Sequence, residues 1–393
     1  MKYLILNVVF FALNPWIYSQ QIALETGNQR PHTSWILPVS ISESSGVTLW
    51  NDMLWTHNDS SDALIYGFSL DQLERQETNS VLAVDQTISI ARLRDWEAIA
   101  QDADYFYFGD FGNNGTGNNR NLRIAKVSKL HLDTASDHIE YINFSYPEQT
   151  DFQVQAANQT DFDCEAFIVT ETGIYLFTKE WLSQQTSCYA LPKTAGTYQA
   201  TKIATFNIGG LVTDATYLED KKMLALSGYS TTLSPFVYLF YGFEAHDFFS
   251  RYNRKINLNL NFHQIEGITT ADGLNFFLSN ERFTAYGGII STNPKIHLLD
   301  LSTYLQPYYQ TLGTRNTSKM EEGVLYPNPA TDEVYLNLPA GFTNTTFEIF
   351  ASNGSLVCKS IYEKRNQTID VSDFPAGVYW LRMPGYNQKI IKK

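Results

Sequence analysis

Short apolar runs separated by Gly, Asn, Asp and Ser recur along almost the whole chain. Leu54–Thr56, Tyr107–Phe108 and Phe276–Leu278 are examples, and each contains aromatic residues. Runs of this kind, bounded by turn-forming residues, predict β-strands. Aromatic residues make up 14% of the 393 residues, and Tyr, Thr, Asn and Gly prevail over the residues that favour helices. The pattern predicts an all-β protein with a large apolar core.

A motif repeats between about residues 31 and 305: an acidic residue, then small or apolar residues, then an aromatic-rich strand. The acidic residues are Glu43, Glu97, Glu165, Asp214 and Glu266, and the interval from Glu97 to Glu165 is the longest. In four of the five units the strand reaches its polar end at nearly the same distance from the acidic residue. A near-constant offset within a long period predicts four-stranded blades, whose radial closure leaves few exposed edges. We therefore predict a β-propeller over residues 20–305, with five blades, or six if the longest interval hides a degenerate one.

Hairpin geometry predicts which side chains share one end of the central channel. In an antiparallel pair, the start of the first strand lies beside the end of the second. Each carboxylate should therefore lie near the polar strand end of its own unit. The strand-end residues expected there are His57, Asp59, Asp110, Lys179, Asn280 and Arg282. On an open face, truncation of His57, Asp110 or Lys179 should affect folding little.

Five carboxylates around one channel predict a bound cation. They would repel one another unless protonated, hydrogen-bonded or neutralised. Ca²⁺ takes six to eight oxygen ligands and is the expected cofactor; its expected ligands are Glu43, Glu97, Glu165, Asp214 and Glu266. Two alternatives stay open. The carboxylates could instead accept backbone N–H groups and lock blades together, or Lys179 and Arg282 could neutralise part of the set.

Charge and cysteine content narrow the class of protein. The chain has 28 Lys and Arg against 41 Asp and Glu, a formal net charge of −13, and no local basic run. This balance argues against nucleic acid and anionic membranes as partners. Three cysteines are too few for a disulfide framework, so Cys164 and Cys188 either pair or are free core thiols.

The first residues predict a secretory signal peptide at 1–19. Lys2 supplies a positive charge, Tyr3–Leu13 is apolar, and Ser19 marks the expected cleavage site. No later segment is apolar over the length that a transmembrane helix needs. We therefore predict an exported protein without a transmembrane segment.

The end of the chain has a pattern of its own, after a polar stretch at 306–323 that predicts an irregular linker. The motifs YPNPATDEVYLNL, FEIFASNGSLV and IDVSDFPAGVYWLRM, with the basic end KIIKK, predict the strands of a small β-sandwich. Together they resemble, over residues 325–393, the C-terminal sorting domain of the Bacteroidetes type IX secretion system, and we assign that domain to 324–393. The resemblance implies recognition by the type IX secretion machinery. It also implies export through the periplasm, with release or attachment at the outer cell surface.

Weaker resemblances cover the repeated region. The motifs SESSGVTLWNDMLWTHNDSSD, DWEAIA, FYFGDFGNN, DCEAFIV and IYLFTKEW, within residues 40–182, resemble a group of uncharacterised secreted bacterial β-propeller proteins. The order of acidic units is also similar to that of calcium-activated apyrases, five-bladed propellers with Ca²⁺ in the tunnel. That similarity implies nucleotide hydrolysis and places the five carboxylates at tunnel-ligand positions. Asp214, however, stands where a Ser is expected, and no Arg-rich segment follows Glu165.

These observations predict an exported or surface-bound binding or scaffold propeller with a Ca²⁺ site in its channel and an unknown ligand, because no catalytic set is recognisable. A second class is a Ca²⁺-dependent hydrolase of nucleotides or other phosphoesters, in which the metal polarises the substrate. Loop aromatics such as Trp181 and Tyr229 leave a carbohydrate-binding protein as a third class.

Overall fold

The computed structural model describes residues 21–59, 62–90, 94–132, 138–315, 324–338, 345–352, 355–364, 367–383 and 386–393. The predicted signal peptide at 1–19 lies outside these residues. The chain divides into two compact units, with the boundary between Pro307 and Tyr308. Strands dominate both units, and this confirms the all-β prediction.

The first unit contains most of the strands. Up to residue 145 they are β1 (Ile22–Ala23), β2 (Gly27–Gln29), β3 (Thr33–Ile36), β4 (Ser44–Trp50), β5 (Met53–Asn58), β6 (Leu64–Ser69), β7 (Gln86–Ser89), β8 (Trp96–Gln101), β9 (Tyr105–Asp110), β10 (Leu122–Ser128) and β11 (Ile139–Ser145). As far as residue 300 they continue with β12 (Asp163–Val169), β13 (Ile174–Lys179), β14 (Thr186–Leu191), β15 (Gly196–Gln199), β16 (Thr201–Phe206), β17 (Leu211–Leu218), β18 (Met223–Tyr229), β19 (Pro235–Tyr241), β20 (Tyr252–Leu258), β21 (Ile265–Thr270), β22 (Asn275–Asn280), β23 (Phe283–Ala285), β24 (Ile290–Thr292) and β25 (Lys295–Asp300). Helix α1 (Leu70–Arg75) follows β6, a 3-10 turn (Tyr286–Gly288) joins β23 to β24, and helix α2 (Ser302–Arg315) follows β25.

Five sheets share a unit of four antiparallel strands. Written from the first strand outward, they are β4-β5-β6-β7, β8-β9-β10-β11, β12-β13-β14-β16, β17-β18-β19-β20 and β21-β22-β25-β3. Two of them are extended by short parallel strands, β15 on β11 and both β1 and β2 on β20. The last sheet is completed from the other end of the unit, because Lys295–Leu298 of β25 pair with Thr33–Ile36 of β3.

The sheets pack face to face, so their inner strands are buried on both sides. In β9, Phe106, Tyr107 and Phe108 are all fully buried. A strand covered on both faces has no solvent side to alternate with, which explains its uniformly apolar sequence. Trp55 and Ile65 of the first sheet share a core with Trp96, Phe106 and Phe108 of the second.

The first strands of the five sheets contact one another. Strand β4 contacts β8 and β21, β8 contacts β12, β12 contacts β17, and β17 contacts β21. Each first strand therefore has two first-strand neighbours. A cavity of about 170 Å³ lies among them, lined by corresponding segments that include Thr48, Ala100, Ile168, Thr216 and Thr269.

The longest interval between acidic units, from Glu97 to Glu165, contains a long loop. Residues 146–162, between β11 and β12, are all described and carry no strand. The strands that precede this loop, β9, β10 and β11, belong to the same sheet as β8. Cys164 and Cys188 are both buried and free, so they are core thiols in this structure.

Helix α2 corrects the prediction that the stretch 306–323 is irregular. Leu305 and Tyr308 are buried, and their spacing of three residues places them on one face of this helix. Leu301, directly before the helix, is buried as well. The helix could not be recognised from the polar stretch alone, because it begins before residue 306. Residues 316–323 lie outside the described residues.

The second unit is a small β-sandwich, as predicted. Its strands are β26 (Val324–Tyr326), β27 (Glu333–Asn337), β28 (Thr345–Ala351), β29 (Leu356–Tyr362), β30 (Gln367–Asp370), β31 (Gly377–Met383) and β32 (Tyr386–Lys392). They form the sheets β26-β27-β30 and β29-β28-β31-β32. Alternate residues of both sheets, such as Val334, Leu336, Ile349 and Leu381, fill one core.

Candidate functional site

Each of the five first strands contains a β-bulge at the same place in its hairpin. The pairing register shifts between Ser45 and Val47, Trp96 and Ala98, Cys164 and Ala166, Val212 and Asp214, and Ile265 and Gly267. The residues left unpaired by these shifts are Gly46, Glu97, Glu165, Thr213 and Glu266. A bulge re-aims its extra side chain out of the ladder. The repeated feature is therefore the bulge, and Glu occupies it in three units.

Three of the five predicted metal ligands occupy the bulges, and the other two, Glu43 and Asp214, do not. Glu97, Glu165 and Glu266 occupy equivalent bulges. Asp214 lies one residue beyond its bulge, and its Oδ2 accepts the backbone N–H of Ile268 at 2.8 Å. Its carboxylate therefore holds neighbouring strands together, which was the alternative reading of the motif. Glu43 precedes β4, and its backbone oxygen accepts the N–H of Asp59 at 3.1 Å. The charge of Glu43 also acts on the buried carboxyl group of Glu281, so Glu43 lies near the other carboxylates although it is not at a bulge.

Further carboxylates surround the bulge glutamates, and we call the combined set the acidic cluster. Its members are Asp95, Glu97, Asp163, Glu165, Glu266 and Glu281. Burial raises the pKa of Asp95 to about 6, that of Glu281 to about 7 and that of Glu266 to about 8. Burial, together with the charges of Glu165 and Asp95, raises the pKa of Glu97 well above its ordinary value. The cluster therefore holds protons near neutral pH.

Lys179 is the cation at the centre of the acidic cluster. Its Nζ donates to Glu165 and, at 3.1 Å, to the hydroxyl of Tyr229, whose ring centroid is 5.1 Å away. Burial lowers the pKa of Lys179, but Glu165 and Glu266 outweigh burial and hold it well above its ordinary value. The ammonium group therefore stays charged. One lysine cannot neutralise all the neighbouring carboxylates.

Asp95 and Glu97 converge on Gly112. A Cβ added at Gly112 would overlap both Asp95 Oδ2 and Glu97 Oε1. Any side chain there would displace both carboxylates, so the glycine leaves the space that the pair occupies. Two carboxyl groups this close share a proton or bind a cation.

His57 lies beside the glycine that replaces a glutamate in the first unit. A Cβ on Gly46 would be 3.2 Å from His57 Nε2. The Nδ1 of His57 lies 3.0 Å from the backbone oxygen of Asn58 and donates its proton there, because a carbonyl only accepts. Among the described residues Nε2 has no partner, and burial lowers the pKa of His57 to about 4. The imidazole is therefore neutral, with an unpartnered acceptor at this end of the first strands.

Of the other strand-end residues, Asn280 and Arg282 are held by local hydrogen bonds. Asp59 Oδ1 is buried and has no partner among the described residues. Asn280 accepts from His297 Nε2 at 2.8 Å and donates to two backbone oxygens. The N–H of Arg282 donates to Ser42 at 2.7 Å.

Burial corrects the expectation that the strand ends form an open face. His57 and Asp110 have no exposed surface and Lys179 is 2% exposed. Asp110 accepts the N–H groups of Arg94 and Asp95 at 2.9 and 3.0 Å and pairs with Arg123 Nε at 2.6 Å. The prediction missed this because strand pairing determines at which end of a sheet a residue lies. It does not determine which neighbouring loop covers that residue.

We expect Asp110→Asn to lower the free energy of unfolding by about 3 kcal/mol, because it leaves Arg123 and two backbone N–H groups without their charged acceptor. Urea denaturation measures the change. Asp104→Asn, at an exposed position of the same hairpin, is the control. A loss below about 0.5 kcal/mol would show that Asp110 is dispensable for folding.

Sequence reasoning missed three members of the acidic cluster: Asp95, Asp163 and Glu281. A signal for two of them was present, because Asp95 and Asp163 each stand two residues before a bulge glutamate. Glu281 directly follows the strand-end residue Asn280. Within the described parts of the chain, no group of three or more His, Cys, Asp or Glu side chains has the arrangement of a metal centre.

None of the helices in the described residues has the length and apolarity needed to cross a membrane.

A comparison with known protein families identifies the second unit. Residues 324–393 match the family described as secretion system C-terminal sorting domain. The match implies recognition by the type IX secretion machinery. The protein is therefore exported through the periplasm to the cell surface or beyond.

The remaining comparisons are distant. No curated protein matches the chain. The exo-beta-1,3-galactanase of Phanerochaete chrysosporium is 8% identical, with a TM-score of 0.40 over 92% of this chain and 95% of that one. A hypothetical protein from Leishmania major is 10% identical, with a TM-score of 0.37 over 69% and 90%. Neither likeness carries an inference about activity.

Proposed function

We propose that the protein is an exported five-bladed β-propeller that binds a cation, Ca²⁺ in the first instance, at the acidic cluster. The observation that carries the proposal is the surplus of buried carboxyl groups around Lys179, several with raised pKa values. Buried carboxyl groups that cannot all be paired either keep protons or bind a cation. At a pH above their pKa values, cation binding is the state that removes their repulsion.

Three features of the first unit support the propeller. Five sheets share the same four-stranded unit. Their first strands have two first-strand neighbours each. The pairing of β3 with β25 joins the two ends of the unit within one sheet, which protects a strand edge that would otherwise be open. The strand-free loop at 146–162 favours five blades over six.

We place the proposed cation at one side of the acidic cluster rather than at its centre. Asp95 and Glu97 would supply the ligands, because their oxygens already converge over Gly112. Asp59 would add the buried, unpartnered Oδ1, and its charge already acts on Asp95. Oxygen donors of this kind are those that Ca²⁺ prefers.

The centre of the cluster fits a metal less well. There the ammonium group of Lys179 already neutralises Glu165. Asp214 is engaged by backbone N–H groups. The proposal therefore differs from the five-carboxylate ring that the repeat suggests.

We expect Ca²⁺ to raise the melting temperature of the protein at pH 8 and to have little effect at pH 5, where the cluster is protonated. Binding to the folded state alone stabilises it by about 2.7 kcal/mol when the free ion is at 100 times its dissociation constant. Calorimetric titration of the chelator-treated protein with CaCl₂ gives the affinity directly, and thermal unfolding gives the stabilisation.

Glu97→Gln should weaken Ca²⁺ binding about tenfold or more, because it removes a charged ligand. Glu74→Gln, an exposed position on helix α1, should leave binding unchanged. No binding at millimolar Ca²⁺ and pH 8 would end the cation proposal. It would leave the cluster as a buried network that keeps its protons.

A Ca²⁺-dependent phosphoester hydrolase is the second candidate. It is favoured by the convergence of Asp95 and Glu97 over Gly112, because a cation held there would polarise a phosphoester group. A phosphoesterase screen with and without chelator tests it. Chelator-sensitive hydrolysis that Glu97→Gln abolishes would select the hydrolase over a binding protein.

A further inference from the structure

A second charged feature lies on the second sheet, next to the acidic cluster, because Arg94 adjoins Asp95 in the chain and its charge acts on that carboxyl group. An open cleft of about 520 Å³ there is lined by three arginines, Arg94, Arg120 and Arg123, and by Asn143, Ser145 and Thr197. Arg94 is distant in sequence from Arg120 and Arg123, and uncharged residues separate Arg120 from Arg123. The sequence therefore has no basic run here that would predict a cluster of arginines. The fold brings three arginines to one cleft in a protein whose net charge is −13.

Each of the three guanidinium groups is held in place. Arg123 Nε donates to Asp110 at 2.6 Å, and its guanidinium carbon lies 4.5 Å from the ring centroid of Tyr141. Arg94 donates to the backbone oxygen of Asn121. The guanidinium carbon of Arg120 lies 3.5 Å from the ring centroid of Phe152. Positioning of this kind reduces the entropy lost when an arginine binds a ligand.

The cleft keeps a positive charge. Asp110 is fully buried and receives both Arg123, at 2.6 Å, and Arg94, at 3.8 Å. Asp95 also interacts with Arg94, so two carboxyl groups lie near three guanidinium groups and the arginines outnumber them. Among the described residues Arg120 makes no ion pair. The amide of Asn143 and the hydroxyls of Ser145 and Thr197 add neutral hydrogen-bonding groups to the lining.

We propose that this arginine cleft binds a phosphate or sulfate group. Such a group offers several oxygens to donors arriving from different directions, as guanidinium groups from two loops and a strand do. A carboxylate has two oxygens in one plane and would satisfy fewer of these donors. The cleft is open to solvent, so it can accept the group as an ester carried on a larger molecule.

The test is calorimetric titration of the purified protein, in low salt, with inorganic phosphate, inorganic sulfate and acetate. Phosphate and sulfate should bind, and acetate should bind at least about fivefold more weakly. Glucose 6-phosphate and glucose 6-sulfate, titrated next, distinguish the two esters as the natural group. Raising the salt concentration should weaken all of these interactions, because the cleft is open to solvent.

The decisive variant is Arg120→Gln, which leaves the pairing of Asp110 intact and should weaken phosphate binding about tenfold. Arg120→Lys keeps the charge and should retain part of the affinity. Arg75→Gln, on the exposed face of helix α1, is the matched control and should bind as the wild type does. Absence of phosphate and sulfate binding, or equal affinity in wild type and Arg120→Gln, would overturn the proposal.

Discussion

Lys179→Met should lower the free energy of unfolding by about 3 to 5 kcal/mol at pH 8, the loss typical of breaking a buried ion pair from one side. The side chain is 2% exposed and its ammonium group contacts Glu165. Without it, Glu165 and Glu266 face one another with no cation. Urea denaturation at pH 8 measures the loss.

The same variant should recover at pH 5, because protonated carboxyl groups no longer need the ammonium group. Adding Glu165→Gln to Lys179→Met should restore part of the stability at pH 8, since both members of the pair are then neutral. Lys221→Met is the control, because Lys221 pairs with the exposed Asp220 at the surface. Equal losses for Lys179→Met at pH 5 and pH 8 would show that packing, and not charge, is what Lys179 supplies.

The free energy of unfolding of the wild type should fall as the pH rises from 5 to 8. Burial raises the folded-state pKa of Glu266 from 4.5 to about 8 and that of Glu281 from 4.5 to about 7. Between the two pKa values of each group the folded state holds a proton that the unfolded state has released, so stability falls with rising pH. Glu266 alone should account for about 3 kcal/mol of this loss.

Glu266→Gln separates this titration from that of the rest of the chain. The amide cannot ionise, so the variant should be more stable than the wild type at pH 8 and should show a shallower decline between pH 5 and 8. Glu74→Gln should leave the profile unchanged. A wild-type profile that rises with pH over this window would contradict the raised pKa values.

The geometry of the hairpins could be predicted from the sequence, because it follows from the order of the strands. The start of each first strand does lie beside the end of the second, as in the pairs Trp96 with Asp110 and Ile265 with Asn280. That relation depends only on antiparallel pairing and turn length. The bulges could not be predicted, because a bulge shifts the register by one residue and no particular residue type is required at that position. Gly46 and Thr213 occupy two of them.

Long-range closure could not be predicted either. Strand β3, near the start of the first unit, completes a sheet whose other members lie near the end of that unit. Its short sequence, TSWI, carries no mark of its partner. The members of the acidic cluster come from different sheets and loops, so their mutual distances depend on packing. What the sequence does carry is the chemistry: the repeated carboxylates and the lysine are present in its motifs.

The pairing of β3 with β25 has a consequence for the order of folding during export. The edge of β25 stays unsatisfied until residues 33–36 and 295–298 meet, which requires closing nearly the whole first unit into one loop. Loop closure over such a span is entropically unfavourable and slow. The last sheet therefore forms late, and until then β25 offers its backbone to any extended segment nearby, including another copy of this chain. A chaperone that binds the edge of β25 would delay the completion of this sheet. It would also prevent aggregation through this edge, because the edge would be covered.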